Sequence, residues 1–143
     1  MTVLAAARIT EHRAGATTIM EFPAAVDIIY EGGLVNVNAA GYAAPASDTT
    51  AEWCVGIADE TVDNSGGSAG DKTVRVRSGE QYKLVGAAAA SFVQALVGEP
   101  VTVEDDQTVT IAADSTNDIA VGYVSEFVSA TSVWVFIPPG GVR

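Results

Sequence analysis

The chain has 143 residues, of which 7 are Lys or Arg and 18 are Asp or Glu, so its net charge is −11 at neutral pH. A surface of this sign repels phosphate groups, which argues against binding to nucleic acid. A single cysteine excludes an intrachain disulfide, and a chain of this length can fold as one domain without such a bond. Its longest apolar stretch, residues 84–98, is rich in alanine and too short to cross a bilayer. We therefore expect no membrane partner, and synthesis in a cytoplasm because no signal-peptide pattern is present.

The first 16 residues differ from the rest of the chain in charge and pattern. Residues 1–20 contain two arginines and one glutamate, whereas five basic and seventeen acidic residues follow them. Apolar residues occur in this segment without helical or strand periodicity. The sequence predicts an extended N-terminal arm over residues 1–16, followed by a single β domain over residues 17–143. We expect the arm to order on binding a partner, through Leu4, Arg8, Ile9 and Arg13; the alternative is a tail without a role.

The sequence repeats itself at a spacing of 66 residues. Between residues 35–62 and 101–128, nine of 28 positions are identical without a gap. The identical pairs are Val35/Val101, Val37/Val103, Ala46/Ala112, Asp48/Asp114, Thr50/Thr116, Val55/Val121, Gly56/Gly122, Glu60/Glu126 and Val62/Val128. This pattern predicts an internal duplication of a β-unit, with repeats at about residues 32–79 and 98–139.

Each repeat has the pattern of short strands joined by turns. The stretches "GLVNVNAAGYAAPA" and "EPVTVEDDQTVTIAA" alternate apolar and polar residues around the turns "NAAG" and "EDDQ", which predicts two hairpins. The adjacent carboxylates Asp105 and Asp106 are expected at a solvated hairpin tip rather than in an active-site pair. Gly56 and Gly122 interrupt apolar runs, as expected at a bulge or where the sheet curves.

Residues 87–98, "AAAASFVQALVG", favour a short helix between the repeats, since alanine is a strong helix former and the terminal glycine suits a helix stop. Two β-units must bury their apolar faces against each other. The predicted fold class is therefore all-β: a small barrel or compact sandwich built from two duplicated β-units, with one short helix between them.

Catalytic and metal-binding patterns are weak in this chain. Its only histidine, His12, lies in the arm, where we expect it in solvent or at an interface and not as a rigid catalytic base. Cys54 is expected to be a small buried apolar residue. Residues 67–73, "GSAGDKT", lack the Gly-Lys-Ser/Thr succession of a phosphate loop because Asp71 intervenes. No enzymatic activity and no cofactor are expected.

Two further groups have a functional and a structural interpretation. The acidic loop around residues 59–71 lacks the spacing of an EF-hand, so a mobile Gly/Ser-rich loop is favoured over a calcium site, although binding of an ion or a receptor stays open. Trp53 and Trp134 could form a sugar-binding platform, but their apolar strand contexts favour core packing or a subunit interface.

Four stretches carry a resemblance to a known family, in this order: "GLVNVNAAGYAAPA", "CVGIADETV", "AVGYVSEF" and "VWVFI". With them the chain resembles the phage head decoration proteins, also called cement or minor capsid proteins. The resemblance covers roughly residues 17–137 and rests on strand patterns and glycines. It implies a compact β-barrel-like module that binds the outer capsid surface between major capsid protein subunits, often as a homotrimer. Its expected location is the outer surface of the virion, after synthesis in the host bacterial cytoplasm. The alternative is a phage tail or adhesin-type module that recognises a carbohydrate or a receptor.

Overall fold

Residues 3–13 and 16–143 are described by the computed structural model. Within them the chain forms short strands and two 3-10 helical turns. The strands are β1 (His12–Arg13), β2 (Thr18–Pro23), β3 (Ile28–Ile29), β4 (Leu34–Val37), β5 (Ala43–Pro45), β6 (Trp53–Ala58), β7 (Val62–Asp63), β8 (Thr73–Ser78), β9 (Gln81–Gly86), β10 (Pro100–Val103), β11 (Thr108–Thr110), β12 (Ala120–Ser129) and β13 (Ser132–Phe136). The 3-10 turns are Gln94–Leu96 and Ala112–Asp114. The predicted all-β fold is confirmed.

Two units with the same strand order make up the fold. In unit 1 the order is β2-β8-β6-β4-β5, and in unit 2 it is β9-β13-β12-β10-β11. Unit 2 is a closed five-stranded barrel, because β11 also pairs in parallel with β9. Unit 1 closes at the equivalent place through a single parallel bridge between Ala24 and Ala43. A small two-stranded sheet, β3 with β7, is attached to unit 1.

The pairing register is also the same in the two units. The β4–β6 ladder shifts by one residue between Val35 and Asn36, and the β10–β12 ladder shifts between Val101 and Thr102. These positions are 66 residues apart, the spacing of the sequence repeat. Gly56 pairs with Val35, and Gly122 pairs with Val101. The predicted duplication of a β-unit is thus confirmed by strand order and register, and both glycines lie at bulges.

Close backbone contact explains the two glycines. A Cβ atom on Gly56 would lie 2.3 Å from the carbonyl oxygen of Arg77, and Gly56 has a φ of +143°. The corresponding atom on Gly122 would lie 1.9 Å from the carbonyl oxygen of Phe136. The bulge therefore brings the neighbouring strand within reach of a residue that has no side chain.

The core is divided into two clusters of buried residues. One lies inside unit 1 and includes Val35, Val55 and Val76. The other fills the barrel of unit 2 and extends to Leu34, Cys54 and Ile57 of unit 1. Strands β4 and β6 are consequently buried on both faces, which accounts for the nearly continuous apolar runs in their sequences.

The predicted helix over residues 87–98 is a single 3-10 turn at Gln94–Leu96. A backbone angle and a buried side chain account for the difference. Ser91 has a φ of +47°, which is incompatible with a continuing right-handed helix. The amide of Phe92 donates to the carbonyl of Ala130, and its ring is buried in the core that fills unit 2. Tertiary packing of one aromatic side chain overrides the helix propensity of four alanines.

The hairpins predicted around "NAAG" and "EDDQ" are β4–β5 and β10–β11. The expectation of a solvated tip at Asp105 and Asp106 is wrong, because their exposed fractions are only 7% and 3%. The tip packs against unit 1, where the Leu34 amide donates to the Asp106 carbonyl at 2.7 Å. Asp106 Oδ1 accepts the Leu4 amide at 2.8 Å, while the Asp105 side chain accepts the Gln107 amide.

A second contact joins the units through Asp48. Its carboxylate accepts the amides of Thr116 at 2.7 Å and Asn117 at 2.9 Å, and the Ser115 hydroxyl at 3.3 Å. Burial opposes ionisation of Asp48, but these hydrogen bonds together hold the pKa of its carboxyl below the usual value. One residue of unit 1 thus fixes the loop that leads into β12.

Candidate interaction surface: the N-terminal arm and its anchors

The described part of the arm, residues 3–13, lies across both units of its own chain. The Arg8 amide donates to the Glu31 carbonyl at 2.9 Å, and the Thr10 hydroxyl donates to the Gly32 carbonyl. Further along, the Lys83 amide donates to the Glu11 carbonyl at 2.8 Å. Strand β1 then pairs antiparallel with the beginning of β9. Backbone hydrogen bonds therefore hold the arm on the body in the isolated chain.

The four predicted contact residues are placed differently from one another. Leu4 is half-buried, and its Cδ1 would lie 2.9 Å from a Cβ atom on Gly33. The Arg8 guanidinium donates to Gln107 Oε1 at 3.3 Å. Ile9 is 94% exposed. Within the described residues, only Ile9 of the four presents its side chain almost entirely to solvent.

Arg13 is fastened to unit 2 by two interactions. Its guanidinium carbon lies 4.1 Å from the centroid of the Trp134 ring. Its Nη1 lies 2.5 Å from Glu126 Oε2, and hydrogen bonding with this guanidinium lowers the pKa of the Glu126 carboxyl. In this cation–π contact the Arg13 guanidinium lies over the Trp134 ring and covers it. The positive charge of Arg13 is thus paired with an acidic residue of the chain's own body.

His12 lies next to a buried carboxylate. Its Nε2 is 3.4 Å from Oε2 of Glu80, whose side chain is 2% exposed. The other oxygen of Glu80 accepts the Thr17 hydroxyl, and Arg77 Nε lies 3.9 Å from it. This contact anchors β1 beside the start of β9.

A small cavity of about 120 Å³ lies beneath the arm and is bordered by this cluster. The Tyr82 hydroxyl is buried there without a hydrogen-bond partner among the described residues. Burial, and next the negative charge of Glu80, raise the pKa of Tyr82. The cavity walls are formed by arm residues on one side and by Ala58, Asp59 and Arg77 on the other.

The two tryptophans are both covered by arginine. Trp53 lies 5.0 Å from the Arg143 guanidinium carbon and makes an edge-on contact with Phe22. Trp134, covered by Arg13, is 8% exposed. Their placement agrees with the packing interpretation. The more accessible aromatic residue is Tyr123, 42% exposed, whose ring centroid is 5.3 Å from that of Phe136.

The acidic loop is organised by its own hydrogen bonds. Asp63 accepts the amide and hydroxyl of Ser65, and Asp71 accepts the Ser68 amide at 2.8 Å. The Asn64 amide group donates to the carbonyls of Ala24 and Ser68, among others. Hydrogen bonding with Ser65 lowers the pKa of Asp63. The loop is therefore tied to unit 1 and not simply a free Gly/Ser-rich segment.

Cys54 is fully buried, as expected. Desolvation raises the pKa of its thiol to about 12, so the thiolate is strongly disfavoured at neutral pH. A Cβ atom on Gly141 would lie 2.2 Å from the Cys54 carbonyl oxygen, so the C-terminal tail passes directly over this residue.

Sequence reasoning missed the contacts of Asp48 and Asp106, which connect the units and the arm. The carboxylates themselves were visible, but their partners lie 68 and 102 residues away for Thr116 and Leu4. The identity of Asp48 with Asp114 in the repeat was the available signal. It pointed to a shared role, whereas only Asp48 forms the contact with the other unit.

In the described residues no group of three or more His, Cys, Asp or Glu side chains has the arrangement of a metal site. No helix in that part of the chain is long and apolar enough to cross a membrane. Comparisons with protein-family models, curated proteins and solved structures give no match to this chain.

Proposed function

We propose that the chain is a structural virion protein that decorates the outer surface of a phage capsid and stabilises it by binding between major capsid protein subunits. The observation that carries this proposal is the position of the motifs that resemble decoration proteins. "CVGIADETV" and "AVGYVSEF" contain the bulge glycines Gly56 and Gly122, which occupy equivalent places in the two units. The resemblance therefore involves the architecture of the duplicated fold and not one isolated strand.

The arm provides the surface for the capsid partner. Ile9 projects an apolar side chain, and Val3 of the same arm is 60% exposed. Arg8 and Arg13 carry charge opposite to that of the body. An acidic patch on the capsid subunit attracts this end of an otherwise repelled protein, which orients the approach.

A homotrimer is part of the proposal, as the resemblance implies. Copies distributed over a capsid each add contacts between neighbouring subunits, and many modest contacts raise the resistance of the whole shell. Heads without the protein are expected to assemble but to release DNA at a lower temperature.

The test is to add purified protein to undecorated phage heads and to measure both occupancy and the temperature of DNA release. Stoichiometric binding with a higher release temperature supports the proposal. Absence of binding, or binding without any change in release temperature, contradicts it. Deletion of residues 1–16 is the second variant, and it should lower occupancy and reduce its dependence on salt.

The alternative, a phage tail or adhesin-type module that binds a carbohydrate or receptor, has one supporting observation. Tyr123 and Phe136 form an accessible aromatic pair on unit 2. If oligosaccharides bind and quench the protein's aromatic fluorescence, and this quenching is lost in Tyr123→Ala, the result would favour this function over decoration.

A further inference from the structure

The duplication allows the two units to be compared position by position at their first strand. β2 pairs with β8 in the register Ile19 to Arg77 and Glu21 to Arg75. β9 pairs with β13 in the register Gln81 to Phe136 and Lys83 to Trp134. Since β8 and β13 occupy the same place in their units, Ile19 corresponds to Gln81 and Glu21 corresponds to Lys83.

The second edge of β9 is covered by the arm. Strand β1 pairs with its first residues, His12 opposite Tyr82 and Arg13 opposite Gln81. The outward-pointing amide of Lys83 donates to the Glu11 carbonyl at 2.8 Å. The side chains of the same two residues form an ion pair, because Lys83 Nζ lies 3.4 Å from a carboxylate oxygen of Glu11.

The corresponding edge of β2 is open in the described structure. The Ala24 amide points to β8 and donates to the Lys72 carbonyl, whereas the next amide, that of Ala25, points the other way and donates to the Ala43 carbonyl. Because amides alternate along a strand, those of Ile19 and Glu21 also point away from β8. No backbone group in residues 3–13 or 16–143 outside the β2–β8 ladder bonds to either of them.

Side chains along this edge are those of a binding strand rather than of a protected edge. Ile19 is 50% exposed and Met20 is 37% exposed. An edge of this type, with unpaired amides beside exposed apolar side chains, is a template for the addition of a further strand. Proteins usually block such an edge with a proline or a lysine, and β2 has its only proline at its last position.

Charge decides which strand fits. In unit 2 the basic Lys83 faces the acidic Glu11 of the arm, but in unit 1 the acidic Glu21 stands in the place of Lys83. Its cross-strand neighbour Arg75 contacts Asp59 and Glu60 at 3.4 and 3.8 Å, and no described ion pair involves Glu21. A copy of the arm would therefore place Glu11 opposite Glu21, which is unfavourable. The edge selects against the chain's own arm and in favour of a segment of opposite charge.

We infer that the free edge of β2 binds an extended segment of another polypeptide chain, which carries a basic residue opposite Glu21 and adds to unit 1 as β1 adds to unit 2. The inference rests on the proposed function only for the identity of that chain, the capsid subunit. The site itself is defined by the outward amides of Ile19 and Glu21, the two apolar side chains and the carboxylate.

Labelled peptides test the chemistry of the site without phage heads. One probe has the arm sequence of residues 7–13, and the other is the same peptide with Glu11→Lys. The full-length protein should bind the Glu11→Lys peptide about fivefold more tightly than the native-sequence peptide, measured by fluorescence anisotropy. The Glu21→Lys protein should show the reverse preference. An unchanged preference in Glu21→Lys overturns the inference.

A proline variant locates the binding to this edge. Ile19→Pro removes an amide that points away from β8, so it leaves the β2–β8 ladder intact, and it should abolish peptide binding. Ile19→Val is the matched control, because it keeps the amide and a branched apolar side chain, and it should bind as the unmodified protein does. Equal binding by Ile19→Pro and Ile19→Val also overturns the inference.

The same proteins separate this inference from the proposed function when titrated onto undecorated heads. If the unmodified protein binds heads and Ile19→Pro binds equally well, the decoration function stands and the β2 site is wrong. If neither protein binds heads but the peptides show the charge reversal, the β2 site stands and the decoration function is wrong. Loss of head binding in Ile19→Pro, with retention in Ile19→Val, supports both.

Discussion

Gly122 and Phe136 are neighbours across the β12–β13 ladder, and no side-chain atom fits between them. A Cβ atom on Gly122 would lie 1.9 Å from the Phe136 carbonyl oxygen, compared with 2.3 Å between Gly56 and the carbonyl oxygen of Arg77 in the other unit. The two pairs are equivalent by strand register, so the same steric requirement has been kept in both copies of the unit.

Gly122→Ala should therefore destabilise the fold by about 3 kcal/mol or more, because one methyl group forces β12 and β13 apart. Chemical denaturation monitored by circular dichroism measures the change in the free energy of unfolding. Gly66→Ala is the matched control, since a Cβ atom there has no neighbour within 4 Å. A free energy of unfolding within about 0.5 kcal/mol of the unmodified protein for Gly122→Ala would contradict the steric argument.

Arg13→Ala should release the arm from unit 2, because both the contact with Trp134 and the ion pair with Glu126 are lost. The amide of Lys83, which donates to Glu11, reports on arm binding, and its hydrogen exchange should accelerate about fivefold. Hydrogen exchange at the Leu84 amide provides the internal control, because that amide points to β13 and not to the arm. Equal exchange of Lys83 in both proteins would show that Arg13 does not hold the arm.

Asp48→Asn should lower stability at pH 7 by about 1 kcal/mol, because hydrogen bonds to a charged acceptor are replaced by weaker ones. The folded-state pKa of Asp48 lies below the usual aspartate value of 3.8, so its stabilising effect is present above that pH and is lost as the pH falls further. The two proteins should converge in stability at low pH. Asp114→Asn, the same change at the equivalent position of unit 2, should have little effect at either pH; a constant difference for Asp48→Asn across the range would argue against the titration.

Asp106→Asn should show the opposite pH dependence. Burial, with the nearby Asp105 charge contributing, raises the pKa of Asp106 above 3.8, although the Leu4 amide opposes the shift. The ionised carboxylate therefore costs stability as the pH rises through and above 3.8, and asparagine avoids this cost while its carbonyl still accepts the Leu4 amide. Relative to the unmodified protein, Asp106→Asn should be more stable at pH 7 than at pH 3. Parallel stability curves measured by urea denaturation would exclude a perturbed Asp106.

The duplicated β-units were predictable from sequence because their signal is local and occurs twice. Alternating residues such as Val35 and Val37 define a strand, and the identity of Gly56 with Gly122 defines a shared bulge. The burial of Asp106 was not predictable in this way. Aspartate in a tight turn has the same local pattern whether the turn faces water or another part of the chain, and here Leu34 and Leu4 cover it.

The arm shows the same limit. Its sequence has no periodic apolar pattern, yet Thr10 is buried and β1 pairs with β9. An edge strand held by backbone hydrogen bonds needs no apolar period, since its amides and carbonyls make the contact. The function predicted for Leu4, Arg8, Ile9 and Arg13 stays a prediction, with the added fact that three of them also contact their own chain.

The double-sided burial of β4 and β6 has a consequence during protein synthesis. Unit 1 leaves the ribosome before unit 2 exists, and at that stage Leu34, Cys54 and Ile57 have no apolar surface to cover them, although they are at most 3% exposed in the complete fold. The nascent unit therefore exposes an aggregation-prone apolar surface until roughly the last third of the chain has been translated. Despite its repeated architecture, the protein is expected to reach a soluble state only as a whole, and a gene fragment that ends after β8 should yield aggregated product.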